Sequence, residues 1–162
     1  MSVKPPTPGA PAPDFALAAT ASGGEVRPGS GRPLVLVFHA QNAAFAVDRL
    51  NREVRERYPS PGELPVASVV DLSLVPPFFR RSARTALEMS YRRAASSLPR
   101  EADPADYVVI LADWTGRVTR DYGASGVYPV PVVVVVAGDG TVLSRRSGAN
   151  LAAKTLELLE TA

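Results

Sequence analysis

One stretch of the sequence decides the fold: Leu34-Val35-Leu36-Val37-Phe38-His39-Ala40-Gln41-Asn42-Ala43-Ala44-Phe45-Ala46. Its first five residues are apolar without a break, which is typical of a strand buried on both faces of a sheet. Asn42 then provides an N-cap for a helix from Ala43 to Tyr58, which ends before Pro59. A buried strand that runs directly into a helix is the repeating unit of α/β folds.

The rest of the chain continues this alternation of strand and helix. Strands are predicted over residues 65–71, 107–111 and 132–136, helices over 77–98 and 117–122, a hairpin at 138–143, and a last helix capped by Asn150. In the helix 77–98, an apolar stripe is formed by Phe79, Ala83, Leu87, Tyr91, Ala94 and Leu98. We therefore expect an α/β protein with a mixed central sheet of about five strands, helices on both faces, and a C-terminal β-hairpin followed by a helix. Antiparallel pairing should be confined to the hairpin region.

The length of 162 residues predicts one domain with a real hydrophobic core. Residues 1–13 contain five prolines and no apolar periodicity, so they are predicted to form a disordered or extended tail. The domain itself should span residues 14–162.

Charge and composition narrow the function classes. The net charge is only +2, which gives no basic footprint for nucleic acid. No apolar run approaches the length of a membrane span, and the start of the chain does not resemble a signal peptide, so we expect a cytoplasmic protein with no membrane partner. One histidine and no cysteine predict no metal site and no cofactor.

Four stretches, in order, carry a family resemblance: Pro11–Leu17, Gly31–Phe38, Leu111–Gly123 and Pro131–Gly140. They resemble the opening motif, the motif strand, the "D … yG" segment and the cis-proline strand with its D-G hairpin in the redoxin branch of the thioredoxin-like superfamily. That branch holds the peroxiredoxins and AhpC/TSA-like proteins. The resemblance implies a thioredoxin-like fold, with the strand 34–38 near the centre of the sheet beside the strand 132–136.

The resemblance also implies a binding groove. Val130–Pro131 should be a cis peptide packed against the start of the helix that begins at Ala43, and in active relatives this loop presents its backbone to the substrate. The candidates for lining the groove are His39, Asn42, Phe45, Val130 and Pro131.

The chemistry of that family is missing from this chain. Aligned to a thioredoxin-type motif, the two sulfur positions fall on Ala43 and Ala46, and aligned to a peroxiredoxin the peroxidatic position falls near Val47. The thiolate is the nucleophile in thiol–disulfide exchange, and alanine has none. Two interpretations stay open: a naturally thiol-free protein, or a variant in which cysteines were replaced by alanine.

Three further sets of residues are candidates for a role. His39 could act as a general base or ligand, or simply pack in place of an aromatic residue. Asp71 and Asp113 each lie at or after the end of a predicted parallel strand, where α/β sheets bind ligands, although both positions also suit ordinary capping. A cationic face on the helix 77–98 is a candidate partner surface, formed by Arg80, Arg81, Arg84, Arg92 and Arg93.

The leading hypothesis is a redoxin-fold domain without thiol chemistry that binds an unidentified protein or peptide in the groove beside the cis-proline loop. The first alternative is a thiol–disulfide oxidoreductase or peroxiredoxin-like antioxidant protein seen as a cysteine-to-alanine variant. The second is a scaffold or regulatory subunit that contacts partners through the Arg-rich helix 77–98. Nucleic acid is not expected as a partner, and a homodimer stays open.

Overall fold

The computed structural model describes residues 4–39, 44–60, 64–124 and 131–147, with the backbone only for residues 44–48. Two short strands near the N-terminus, β1 (Leu17–Ala18) and β2 (Glu25–Val26), pair antiparallel. Within the described ranges the main sheet has five strands: β3 (Leu34–His39), β4 (Val66–Asp71), β5 (Val109–Asp113), β6 (Val132–Val136) and β7 (Val142–Ser147). The helices there are α1 (Ala44–Arg57), α2 (Arg80–Ser96), α3 (Pro104–Tyr107) and α4 (Arg117–Asp121), and a 3₁₀ turn (Pro77–Phe79) precedes α2.

The order of the main sheet is β5-β4-β3-β6-β7, which confirms the predicted mixed sheet with β3 at its centre beside β6. The pairs β3–β4 and β4–β5 are parallel, whereas β3–β6 and β6–β7 are antiparallel. Antiparallel pairing is therefore not confined to the hairpin, as the sequence analysis expected, because the first strand of the hairpin also pairs with β3. Apolar periodicity identifies a strand but carries no information about the direction of its neighbours.

Strand β3 is buried on both faces, as its unbroken apolar sequence predicts. Leu34, Leu36 and Phe38 lie in a core with Phe15, Val118 and Tyr122, whereas Val35 and Val37 lie in a second core with Leu50 and Val54 of α1. Alternate side chains of one strand thus enter different cores, because successive residues of a strand point to opposite faces. A smaller cluster joins Val70 and Leu72 to Leu87 of α2.

Two elements have boundaries that differ from the predicted ones. Strand β5 begins at Val109 rather than Tyr107, because Asp103 caps α3: its Oδ1 accepts a hydrogen bond of 3.0 Å from the backbone N–H of Ala105. The predicted helix 77–98 starts as the 3₁₀ turn and ends at Ser96.

The predicted apolar stripe of that helix is correct for Ala83 and Leu87, which are buried, but wrong for Phe79, which is exposed. Phe79 lies in the 3₁₀ turn, which has three residues per turn, so the α-helical period that placed it on the buried face does not apply there.

The N-terminal segment packs on the hairpin where the structure describes it. Residues 1–13 are predicted to be disordered or extended, and the described residues 4–13 have backbone hydrogen bonds to the hairpin. The N–H groups of Gly9 and Ala12 donate to the carbonyls of Val142 and Gly140 at 2.8 Å, and the N–H of Val142 donates to Ala10. Proline-rich composition predicts an extended backbone, but it does not show whether a sheet edge is available to receive that backbone. The last helix, predicted from Asn150, lies outside the described residues.

Tyr122, the C-cap residue of α4, connects the N-terminal segment to the core. The ring of Tyr122 lies 5.1 Å from that of Phe38 and 5.8 Å from that of Phe15. Its hydroxyl donates a hydrogen bond of 2.7 Å to the carbonyl of Pro13. Burial raises the pKa of the Tyr122 phenol, and the charges of Asp14 and Asp121 raise it further.

We predict that Tyr122→Phe lowers the free energy of unfolding by about 1 to 2 kcal/mol, because the Pro13 carbonyl loses its donor. Urea unfolding measures the change, and Tyr91→Phe on α2 is the matched control with little expected effect. Above about pH 10 the unfolded chain ionises Tyr122 and the folded chain does not, so the wild type loses stability as pH rises. The difference between wild type and Tyr122→Phe should therefore shrink above pH 10, and a constant difference would contradict this assignment.

Candidate functional site

The pairing of β3 with β6 places His39 and Pro131 at the same edge of the sheet. Phe38 pairs with Val132 in the antiparallel register, so His39 and Pro131 are the next residues outward along the two strands. On the other side of β3, His39 pairs with Val70 of β4. His39 is half-buried and Pro131 is buried. This edge is the carboxyl end of β3, β4 and β5, where α/β sheets place ligands.

The helix that follows β3 begins at this same edge. Helix α1 starts at Ala44, five residues after His39, so Phe45 and Ala46 belong to its first turn. Of the candidate groove residues, His39 and Pro131 come next to each other in the register. Asn42 and Val130 lie outside the described residues, as does Ala43 of the two thiol positions, and only the backbone is described for Phe45 and for the other thiol position, Ala46. The cis peptide at Val130–Pro131 stays a prediction.

The backbone that leads from α4 towards Pro131 is held by an arginine that sequence reasoning missed. Arg145 of β7 donates from Nη2 to the carbonyl of Gly123 at 2.6 Å and from Nε to the carbonyl of Tyr122 at 3.4 Å. Gly123 has a φ of +66°, and a Cβ atom there would lie 2.7 Å from Pro5. The turn at Gly123 is thus contacted by Pro5 of the N-terminal segment and by Arg145 of β7. An arginine within an edge strand gives no sequence signal for such a role.

The two carboxylates at this edge have local structural partners. Asp71 and Asp113 pair across β4 and β5, but Oδ2 of buried Asp113 accepts hydrogen bonds from the N–H and the hydroxyl of Thr119, at 2.8 and 2.7 Å. Oδ1 of Asp71 accepts from the N–H of Ser73 at 3.0 Å. Asp113 therefore ties the start of α4 to the end of β5, and the capping interpretation fits both residues. Among the described residues no group of three or more His, Asp or Glu side chains could hold a metal ion.

All five arginines of α2 are exposed, and two of them also lie over an aromatic ring. The guanidinium groups of Arg80 and Arg84 lie 5.9 and 5.3 Å from the ring centroid of Trp114, in cation–π geometry. Arg81, Arg92 and Arg93 are exposed. The turn before α2 exposes Leu74, Phe78 and Phe79, which the sequence analysis did not single out as a surface.

A shallow cavity of about 300 Å³ opens beside the connection between β5 and α4. It is lined by Phe15, Leu17, Trp114, Arg117 and Val118, among others. Neither His39 nor Pro131 lines it, so it is separate from the edge described above. Along the described parts of the chain, no helix is long and apolar enough to cross a membrane.

No protein-family model and no curated protein sequence matches the chain. Solved structures do match over nearly its whole length. A protein assigned as the thiol:disulfide interchange protein DsbE from Chlorobium tepidum aligns with a TM-score of 0.64 at 18% identity, covering 96% of this chain and 97% of that one. The thiol peroxidase from Chromobacterium violaceum aligns with a TM-score of 0.63 at 17% identity, covering 98% and 89%. The exposed lipoprotein thioredoxin Etrx1 from Streptococcus pneumoniae aligns with a TM-score of 0.59 at 18% identity, covering 93% and 100%.

These alignments establish that the chain has a thioredoxin-like fold, of the kind seen in redoxins, as the resemblance implied. At such low identity they establish the fold alone. The protein is thus a thioredoxin-like α/β protein whose sequence contains no cysteine.

We predict that Asp113→Ala destabilises the protein by about 2 to 4 kcal/mol, because two buried donors of Thr119 lose a charged acceptor. Asp71→Ala, whose bond to Ser73 is exposed, should cost no more than about 1 kcal/mol. Urea unfolding of the two variants measures both effects. An Asp113→Ala protein as stable as the wild type would contradict the capping role of the Asp113 carboxylate.

Proposed function

We propose that this protein is a thioredoxin-like binding module that holds an extended polypeptide segment at the edge formed by His39 and Pro131, without thiol chemistry. The observation that carries the proposal is the antiparallel register of β3 and β6, which brings these two residues side by side in a chain that has no cysteine. The cytoplasmic location belongs to this proposal and is tested by fractionation of cells that produce the native chain.

The chemistry of the edge suits a polypeptide backbone. An extended segment presents alternating N–H donors and C=O acceptors, and each needs a partner when it leaves water. A neutral imidazole has one donor and one acceptor nitrogen, the two kinds of group that a polypeptide backbone needs as partners, and His39 brings one to this edge. Pro131 is buried and has no N–H, so its part in the contact is its backbone carbonyl.

The two strands that lead to this edge are buried, which favours a preformed site. Strand β6 is buried along its whole length, and Arg145 holds the turn at Tyr122 and Gly123 from the neighbouring strand. A preformed site loses less conformational entropy on binding than a site that must be ordered first.

The test is binding of an unfolded polypeptide without thiols, such as reduced α-lactalbumin alkylated with iodoacetamide. Isothermal titration calorimetry measures this binding. We expect the wild type to bind, and His39→Ala and Pro131→Ala to bind at least about tenfold more weakly, because the first loses the imidazole and the second loses the ring that restricts the backbone at this edge. Pro33→Ala, a half-buried proline at the opposite end of β3, is the matched control and should bind like the wild type.

Thermal unfolding of each variant separates loss of contact from loss of fold, and His39→Gln serves as a second variant that keeps a polar side chain. The proposal fails if the wild type does not bind, or if Pro33→Ala weakens binding as much as Pro131→Ala does. In the same preparation, turnover in insulin reduction or in peroxide consumption would show a non-thiol mechanism, since no thiolate is available.

A second candidate is a thiol oxidoreductase in which cysteines have been replaced by alanine. Its support is that the aligned structures carry the names of thiol–disulfide and thiol peroxidase proteins, while Ala43 and Ala46 occupy the thiol positions of the resembled motif. Ala43 directly precedes the first residue of α1, and helix N-termini stabilise thiolates.

The variant Ala43→Cys with Ala46→Cys tests this candidate. If a thiol site is intact, the cysteine at position 43 should have a pKa below the ordinary value of about 8.5, and the pair should form a reversible disulfide. Iodoacetamide labelling against pH and a redox titration measure the two properties. The control is Ser96→Cys at the C-terminal end of α2, where the helix dipole should not lower the pKa. Equal pKa values at both sites, without a disulfide, would exclude this candidate.

A further inference from the structure

The turn between β4 and α2 exposes more apolar surface than its packing requires. Leu74 is 93% exposed, Phe78 78% and Phe79 53%. Single exposed apolar residues are ordinary on protein surfaces, but these three occur within six residues of one turn. The apolar turn, defined as residues 74–79, is therefore a candidate contact surface.

The apolar turn is already ordered. The rings of Phe78 and Phe79 contact each other with their centroids 4.5 Å apart. Pro76 and Pro77 fix their own φ angles, which limits the conformations that the turn can adopt. The two phenylalanines are thus presented without a large further loss of conformational entropy.

Part of the backbone of the apolar turn is hydrogen-bonded within the turn and its flanks. Pro76 and Pro77 have no N–H, and the N–H groups of Val75 and Phe79 donate to the carbonyls of Leu72 and Pro76 at 3.1 and 2.9 Å. The N–H of Arg80 donates to Pro77. Internal satisfaction of the backbone is the condition for placing a segment in hydrocarbon, where water cannot supply the missing bonds.

The charges that follow the apolar turn are almost all positive. Residues 77–98 contain five arginines and one acid, Glu88. Arg81 and Arg92 are exposed, and Arg80 and Arg84 lie over Trp114, whose ring is half-buried. Aromatic side chains beside arginines are the composition of segments that lie at the boundary between lipid headgroups and acyl chains.

We propose that the apolar turn and the exposed arginines of α2 dock onto an anionic membrane surface, with Phe78 and Phe79 entering the interface and Arg81 and Arg92 contacting the headgroups. A second copy of the chain fits less well, because a two-fold interface would bring the same cations against each other. The lack of an apolar run long enough to span a bilayer predicts no membrane partner, but docking on the surface does not need a span. This proposal is independent of the one made for His39 and Pro131.

The test is cosedimentation of the full chain with vesicles of phosphatidylcholine, with and without about 30% phosphatidylserine, a fraction that models an anionic leaflet. We expect binding to the anionic vesicles, weak binding to pure phosphatidylcholine, and a loss of binding at high salt because the charges are screened. Arg81→Gln with Arg92→Gln should weaken partitioning by about fivefold for each charge removed. Arg52→Gln with Arg146→Gln, which removes two exposed arginines from α1 and β7, is the matched control with little effect.

The apolar contribution is tested separately. Phe78→Ser with Phe79→Ser should weaken partitioning by at least about tenfold, while both side chains are exposed enough that stability changes little. Phe78→Trp adds a reporter to a chain with a single tryptophan, Trp114, and its emission should shift to the blue on anionic vesicles. Quenching by brominated lipids then measures how deeply position 78 enters.

Three outcomes would overturn the proposal. One is the absence of binding to anionic vesicles. Another is a concentration-dependent dimer, seen by analytical ultracentrifugation, that the double serine variant abolishes, because the turn would then join two copies. The third is binding to polyglutamate without binding to vesicles, because the arginines would then serve an acidic protein partner.

Discussion

The burial of β3 on both faces is the constraint on which the rest of the structure depends. Its residues pair with β4 on one side and β6 on the other, and its side chains enter two cores in alternation. An inward position on either face cannot accept a polar residue without losing hydrogen bonds to water. This explains why residues 34–38 contain no polar side chain, and why the first polar residue, His39, marks the point where the strand reaches the edge of the sheet.

Position at that edge determines what His39 and Pro131 can do. The two residues come from segments about ninety positions apart in sequence, and the antiparallel pairing of β3 and β6 makes them neighbours. Tyr122, whose hydroxyl binds Pro13, and Arg145, which holds the carbonyl of Gly123, fix the turn that follows α4. The chain has a thioredoxin-like fold and no cysteine, so no thiolate is available at this edge. The proposed function is therefore binding at the edge rather than thiol chemistry.

The surface of α2 shows a second way in which this chain departs from a simple globular surface. Arg80 and Arg84 stack on Trp114, and the turn ahead of them exposes Phe78 and Phe79. Trp114 itself packs against the cluster of Val70, Leu72 and Leu87, whereas Phe78 and Phe79 belong to none of the three buried clusters. The apolar turn follows the carboxyl end of β4, whose Val70 pairs with His39, and the two proposals rest on different side chains.

The sequence by itself determined the class of fold, the central strand and the absence of thiol chemistry. These properties follow from local pattern and residue type: an unbroken apolar run predicts a buried strand, and a chain without cysteine has no thiolate. Only the tertiary structure decided the direction of β6 relative to β3 and the pairing of residues 9–12 with the hairpin. It also decided the hydrogen bonds from Arg145 to the turn at Gly123 and the exposure of Phe79. Each of these depends on contacts between residues far apart in the chain, or on a 3₁₀ turn that breaks the helical period. Local periodicity predicts which residues are buried, but the residues that pack against them are determined only by the fold of the whole chain.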